Sequence, residues 1–208
     1  MTGTITVIAI DGPAGSGKST IAKLVADRLG LAYLDTGAMY RSIAYAALRD
    51  GIDPADADAV SRLAIRTSIV VDGTVVVDGD DATVAIRGPE VSGVVSVVSA
   101  HPDVRAELVR RQREWARQHG GGVVEGRDIG TVVFPDATLK VFLTASEEER
   151  VRRRAAQSGA EVAAHVTKRD HLDSNRAVSP LAAAEDALVV DTTGRSIDDI
   201  VEEVLSKL

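Results

Sequence analysis

The chain has 208 residues, 45% of them hydrophobic and 26% charged, which is enough to bury a sizeable core and argues against disorder. It has no cysteine, which excludes disulfides, cysteine nucleophiles and thiolate metal sites and fits a reducing, cytoplasmic setting. Its net charge of −7 offers no global positive field to nucleic acid, and no apolar run approaches the roughly 20 residues that span a bilayer, so neither nucleic-acid nor membrane partners are expected.

Residues 4–10 form a β-branched apolar run that stops at Asp11-Gly12, as a strand buried on both faces would. A glycine-rich turn leads into a helix over 18–29, with Gly30 placed to close it. A short strand over 31–34 precedes a loop and helix over 35–49, ended by Gly51. Asp53 and Pro54 read as the cap and first residue of a helix over 54–65. The pattern then changes to strands over 68–71, 74–78 and 82–86, separated by Asp72-Gly73 and Gly79-Asp80-Asp81, which is a hairpin signature. Helices over 90–100 and 102–119 follow, the second running into Gly120-Gly121-Gly122. Alternation resumes with strands over 123–125 and 139–143. A basic helix then starts at Ser146 with Glu149 at the capping-box position and runs to about residue 157. A strand over 187–190 and a helix over 196–208 complete the chain. Strands alternating with helices predict an α/β fold, a parallel sheet covered on both faces, with a small antiparallel β insert. One domain is expected, with a core of residues 1–66 and 120–208 and an insert over about 67–119.

Gly12-Pro13-Ala14-Gly15-Ser16-Gly17-Lys18-Ser19 meets G-x-x-x-x-G-K-[ST] at every fixed position and lies between a predicted strand and helix. In such a P-loop, backbone N–H groups and the helix N-terminus face phosphate oxygens. Residues 12–20, through Thr20, are the expected ATP contacts, with Lys18 reaching the β- and γ-phosphates and Ser19 ligating Mg²⁺. The motif predicts a nucleoside triphosphate, not an activity. Thr167-Lys168-Arg169-Asp170 resembles a guanine-reading motif, but it lies in a polar helical stretch with no suitably placed D-x-x-G switch. The four histidines form no ligand spacing.

Two further segments leave strand ends, where ligands of open α/β sheets bind. They are Asp35-Thr36-Gly37-Ala38-Met39-Tyr40-Arg41 and the stretch Glu125-Gly126-Arg127-Asp128-Ile129-Gly130-Thr131-Val132-Val133-Phe134-Pro135. Near the C-terminus stand Lys168-Arg169-Asp170, Asp173 and Asn175-Arg176-Ala177. Arginines gathered round a phosphate loop suit a phosphoryl acceptor that is itself anionic.

With these segments, PDVRAELVRRQR and DSNRAVSPL, the chain resembles the bacterial cytidylate kinases of the nucleoside monophosphate kinase family over nearly its whole length. The resemblance implies a P-loop NTPase-type fold and transfer of the ATP γ-phosphoryl, with Mg²⁺, to CMP or dCMP. Arg41, Arg127 and Arg176 match positions that hold the acceptor's 5′-phosphate. Thr36, Ser96, Arg105 and Asp128 match positions around the cytosine, and Arg169 and Asp173 match positions near the ribose. Arg150, Arg153 and Arg154 match a mobile lid, over about residues 150–170, whose arginines stabilise the transferring phosphoryl. Tyr40 either packs in the core or lines the acceptor site. Glu125 stands where Asp is common, and either orders the Mg²⁺ waters or only packs.

From the residues alone, Arg105 and Ser96 read as helix-surface groups, Arg127-Asp128 also fits a surface ion pair, and the arginines of 150–154 also fit a solvated helix face. The base chemistry gives separate support. A carboxylate accepts from cytosine N4, a guanidinium donates to N3 and O2, and uracil would turn an oxygen toward the carboxylate. The rivals are a P-loop kinase of AMP, UMP or shikimate and a non-catalytic ATP-binding regulator. Nothing in the sequence points beyond a monomer.

Overall fold

The computed structural model describes residues 5–158 and 179–208. In chain order its larger sheet comprises β1 (Thr6–Asp11), β2 (Tyr33–Asp35), β6 (Gly121–Gly126), β7 (Leu139–Thr144) and β8 (Leu188–Asp191). A second sheet comprises β3 (Ile69–Asp72), β4 (Thr74–Val77) and β5 (Asp80–Asp81). The helices are α1 (Lys18–Leu29), α2 (Thr36–Arg49), α3 (Ala57–Arg66), α4 (Pro89–Val98), α5 (Pro102–His119), α6 (Glu147–Ser158) and α7 (Ile197–Leu205).

The larger sheet has the order β2-β6-β1-β7-β8, and β1 pairs in parallel with both β6 and β7, as β7 does with β8. In central β1, residues 7–10 are all apolar and buried because both faces of the strand are covered. Ile21, Ala22 and Val25 of α1 and Ile200, Val201 and Val204 of α7 share a core with Ile8, Ile10, Val123, Val141 and Leu143. The smaller sheet is antiparallel, in the order β3-β4-β5. The chain divides into two compact units, Met1–Leu34 with Arg113–Leu208, and Asp35–Gln112. The second has its own core, in which Ala38, Ala46 and Ala47 of α2 meet Leu63, Val75, Val77, Ala82 and Ile86.

Several local expectations are corrected. Residues 82–86 are not a strand, and Ala85–Arg87 is a 3-10 turn. Asp81 accepts from the Thr83 N–H at 2.9 Å and the Ala82 carbonyl accepts from the Ile86 N–H at 2.9 Å. A strand would put Ala82, Val84 and Ile86 on one face. The helical turn buries Ala82 and Ile86 together and leaves Val84 84% exposed. α3 starts later than expected, because Asp56 caps it through the Ala59 N–H, while Asp53 accepts from Ala55 instead. The capping box at α6 is half formed. Ser146 accepts from the Glu149 N–H, but its own N–H donates to Thr193 Oγ1, and Glu149 turns to Arg152 and Arg153.

β6 begins at Gly121, inside the glycine run expected to end the preceding helix, and two residues before the predicted strand. A Cβ on Gly121 would lie 2.1 Å from the Thr6 carbonyl oxygen on β1, so the close strand approach needs glycine there. After β6, residues Ile129–Val133 form a single π-helical turn that no sequence pattern announced.

Candidate active site

The P-loop follows β1 directly. Gly17, with φ +92°, precedes α1 without a side-chain cap, and the first turn of α1 has no acidic residue. That helix end leaves N–H groups and a positive dipole end for an anion. Gly15 has φ +77°, and a Cβ there would lie 2.5 Å from the Arg150 carbonyl oxygen, so both conformation and space demand glycine. The Lys18 ammonium donates to the Pro13 carbonyl at 2.7 Å, within its own loop. The buried Ser16 hydroxyl has no hydrogen-bond partner among the described residues.

Below the loop, Ser19 Oγ donates to Glu125 Oε2 at 3.0 Å, and the Tyr33 hydroxyl donates to Glu125 Oε1. Glu125 is buried at the end of β6. Glu125 therefore accepts hydrogen bonds from two hydroxyls and does not only pack.

Asp11, the last residue of β1, was not singled out in the sequence, where its only signal was a carboxylate ending an apolar run. Its two oxygens accept the Ile129 and Gly130 N–H groups at 2.8 and 2.7 Å. The turn just after Arg127-Asp128 is thereby tied to the strand that carries the P-loop. Burial pushes the Asp11 carboxyl up to about 6, against the pull of those two N–H groups. Asp128 is buried and Arg127 half-buried.

On α6, Arg150 Nη1 reaches the Ala14 carbonyl of the P-loop at 3.2 Å. Arg153 donates to Thr192 Oγ1 and to the Thr192 carbonyl, both at 2.8 Å, and its Nη1 lies 3.7 Å from where a Cβ on Gly17 would stand. Arg152 is exposed and pairs with Glu149, whose carboxyl the hydrogen bonds from Arg152 and Arg153 pull down to about 2. Two of the three arginines singled out on this helix therefore adjoin the phosphate loop. The Arg154 side chain lies outside the described residues, as do Arg169, Asp173, Arg176 and the segment Thr167-Lys168-Arg169-Asp170.

In the unit Asp35–Gln112, Asp35 caps α2 by accepting from the Ala38 N–H at 2.9 Å. The same carboxylate takes Arg41 at 3.1 Å and Arg87 at 3.3 Å. Burial opposes ionisation, yet the Arg41 and Arg87 guanidiniums hold the Asp35 carboxyl below its usual range. Two guanidiniums on one carboxylate leave positive charge in excess, and Arg41 Nε has no hydrogen-bond partner among the described residues. Arg87 was not singled out in the sequence, because an arginine just after a supposed strand gave no signal. Thr36 is buried at the start of α2.

Arg105 is 3% exposed, donates to the Ser99 carbonyl at 3.1 Å and lies 5.3 Å from the Tyr40 ring centroid. The surface-helix reading of Arg105 is therefore wrong, and Tyr40 is a buried platform for the guanidinium. Ser96 is half-buried on α4, and its carbonyl accepts from the Ser99 hydroxyl at 3.2 Å. Arg111 is structural, since it donates to the Ala64, Ile65 and Thr67 carbonyls where α3 ends.

Among the described residues, no helix is long and apolar enough to cross a membrane, and no group of three His, Cys, Asp or Glu side chains could hold a metal.

The fold is that of solved small-molecule kinases. A sugar kinase from Janibacter sp. HTCC2649 aligns at TM-score 0.53 and 16% identity, covering 98% of this chain and 94% of that one. A gluconokinase from Sinorhizobium meliloti 1021 aligns at TM-score 0.52 and 16% identity, covering 97% and 90%. In sequence, the chain is 53% identical to a cytidylate kinase of Desulfitobacterium hafniense (strain Y51), over 96% of this chain and 90% of the relative. It is 52% identical to a cytidylate kinase of Mycobacterium avium (strain 104), over 95% and 92%. The sequence profile described as cytidylate kinase matches residues 8–208. A P-loop and an arginine-bearing GRD segment tied to its strand, matched end to end by that profile, mean that the chain belongs to the cytidylate kinase family.

Proposed function

We propose that the chain transfers the γ-phosphoryl of ATP to the phosphate of CMP or dCMP, with Mg²⁺, by in-line displacement. The observation that carries this is the P-loop of a cytidylate kinase family member, with Lys18 and Ser19 at its helix end and Ser19 bonded to buried Glu125. Residues 12–20 hold the ATP phosphates through backbone N–H groups. Lys18 exchanges the Pro13 carbonyl for phosphate oxygens. Arg41, Arg127 and Arg176 hold the acceptor phosphate. Thr36, Ser96, Arg105 and Asp128 read the cytosine, with Arg169 and Asp173 at the ribose. Arg150, Arg153 and Arg154 neutralise charge on the phosphoryl in flight. No covalent intermediate and no strong base is required, because the acceptor oxygen is already anionic.

The donor set fits Mg²⁺. Ser19 and Glu125 offer hard oxygen ligands, and among the described residues too few protein groups converge to hold a cation without the nucleotide's phosphates, which is how Mg²⁺ is usually held. Ser19 would ligate it and Glu125 would order its waters. When bound, the cation would screen the charge on the nucleotide's phosphates.

The experiment is a substrate panel with ATP and Mg²⁺, read as ADP release. CMP and dCMP should turn over, with UMP, AMP and shikimate at least tenfold poorer in kcat/KM. ATP binding without CMP-dependent ADP release would establish a binding regulator instead.

A further inference from the structure

We infer that Tyr33 is a positioning residue for the magnesium site: by clamping Glu125 it keeps the Ser19 hydroxyl turned so that its lone pairs, not its proton, face the cation. The role rests on the ATP-dependent kinase chemistry proposed above. The geometry is a chain of two hydroxyls on one buried carboxylate. Ser19 Oγ donates to Glu125 Oε2 at 3.0 Å, and the Tyr33 hydroxyl donates to Oε1. A serine hydroxyl has one proton and two acceptor lone pairs. With the proton spent on Glu125, both lone pairs stay available to a cation. If Glu125 swung away, the hydroxyl would rotate freely and present its proton to the metal for part of the time.

Glu125 needs holding, because a glutamate has one more rotatable bond than an aspartate, and each free rotor has to be ordered when the metal binds. A bond to Ser19 alone fixes one oxygen and leaves the carboxylate free to pivot about it. A second donor on the other oxygen stops the pivot. Tyr33 is well placed to give it. It stands on β2, and β2 neighbours β6, which carries Glu125. The Lys23 ammonium lies 5.5 Å from the Tyr33 ring centroid, a further restraint on the ring. The phenol thus works from a sheet strand, two bonds removed from the metal, as outer partners of metal ligands do.

The test is calorimetric titration of ADP into the full chain over a series of Mg²⁺ concentrations and in EDTA. Wild type, Tyr33→Phe, Glu125→Gln and the double variant are compared. Tyr33→Phe should need roughly tenfold more Mg²⁺ for half of the metal-dependent gain in ADP affinity, the lower end for an outer partner of a metal ligand. Its metal-free ADP affinity should stay within about twofold of wild type. Glu125→Gln should shift the Mg²⁺ midpoint at least as far, and the double variant no further than Glu125→Gln, because the phenol acts only through that carboxylate.

A Tyr33→Phe midpoint within about twofold of wild type, or shifts that add in the double variant, would overturn the inference, as would equal losses with and without Mg²⁺. Should Tyr33→Phe melt without a cooperative transition, Tyr33→Leu gives the same reading with the same expected shift. CMP turnover by wild type, assayed in parallel, tests the kinase chemistry by itself. Its failure would sink that chemistry, while the Mg²⁺ midpoints alone decide the role of Tyr33.

Discussion

The Lys18 ammonium donates to a loop carbonyl, that of Pro13, and the side chain is not part of the buried core. Lys18→Ala should therefore lower kcat by about a hundredfold or more, the scale of one lost donor to a developing charge, and leave the melting transition near that of wild type. Coupled ADP release and a thermal melt check both halves, and near-normal turnover in the folded variant would defeat the phosphate-loop assignment. Asp128 is buried, as a base-reading carboxylate should be. In Asp128→Asn the amide can donate to uracil O4, which the carboxylate repels, so the CMP:UMP ratio of kcat/KM should fall by roughly tenfold, taking about 1.4 kcal/mol per decade. If Asp128 only orients Arg127, both substrates weaken alike and the ratio holds.

Asp11 gives a pH prediction. Its folded pKa is about 6 against an ordinary 3.8, raised first by burial, lowered by the Gly130 and Ile129 N–H groups, raised by Asp128 and lowered by Lys18. The native state holds this proton more tightly than the unfolded chain, so the Asp11 contribution to stability declines as pH rises from about 4 to about 6 and is level above. Across that window the stability of Asp11→Asn relative to wild type should improve by an amount on the order of 2–3 kcal/mol. Denaturant melts at several pH values measure it, and a flat difference would mean that burial does not hinder ionisation.

Among the elements, α3 separates two candidate caps. Asp56 accepts from the Ala59 N–H of the first turn, whereas Asp53 bonds only outside the helix, to Ala55. Asp56→Ala should cost about 1 kcal/mol and Asp53→Ala less than half of that, read from denaturant midpoints. On α6, Arg150 and Arg153 lie against the phosphate loop and the Thr192 segment. Neutralising Arg150, Arg153 and Arg154 together should lower kcat more than it raises the KM for CMP if, as proposed, they act on the phosphoryl and not on the acceptor base. A steep rise in that KM at constant kcat would move them to the acceptor pocket. Elements were legible where local chemistry decides them. α1 and α5 have the predicted bounds, because periodicity and terminators agree there. The stretch 82–86 was not legible. Alternation and helical spacing make the same residues apolar, and only the core of the Asp35–Gln112 unit selects the turn that buries Ala82 with Ile86.

For the whole molecule, nucleotide binding and folding are linked. ADP with Mg²⁺ at about a hundred times its Kd should add about 2.7 kcal/mol of stability, a rise in Tm of roughly 5–10 °C for a chain of this size, and Lys18→Ala should lose most of that rise. The sequence by itself determined the P-loop, the α/β alternation, the exclusion of thiol chemistry and, through resemblance, the family. Each of these is written in residues close together in the chain or in bulk composition. Tertiary structure alone decided which side chains share the site. Ser19 meets Glu125 across 106 positions, Tyr33 meets it across 92, and Asp11 meets Ile129 across 118. The reason is the strand order, which sets β2, β6 and β1 side by side although β6 lies far along the chain from the other two. Local patterns report backbone preference, whereas a hydrogen bond between strand ends depends on which strands are neighbours, and that is settled by packing.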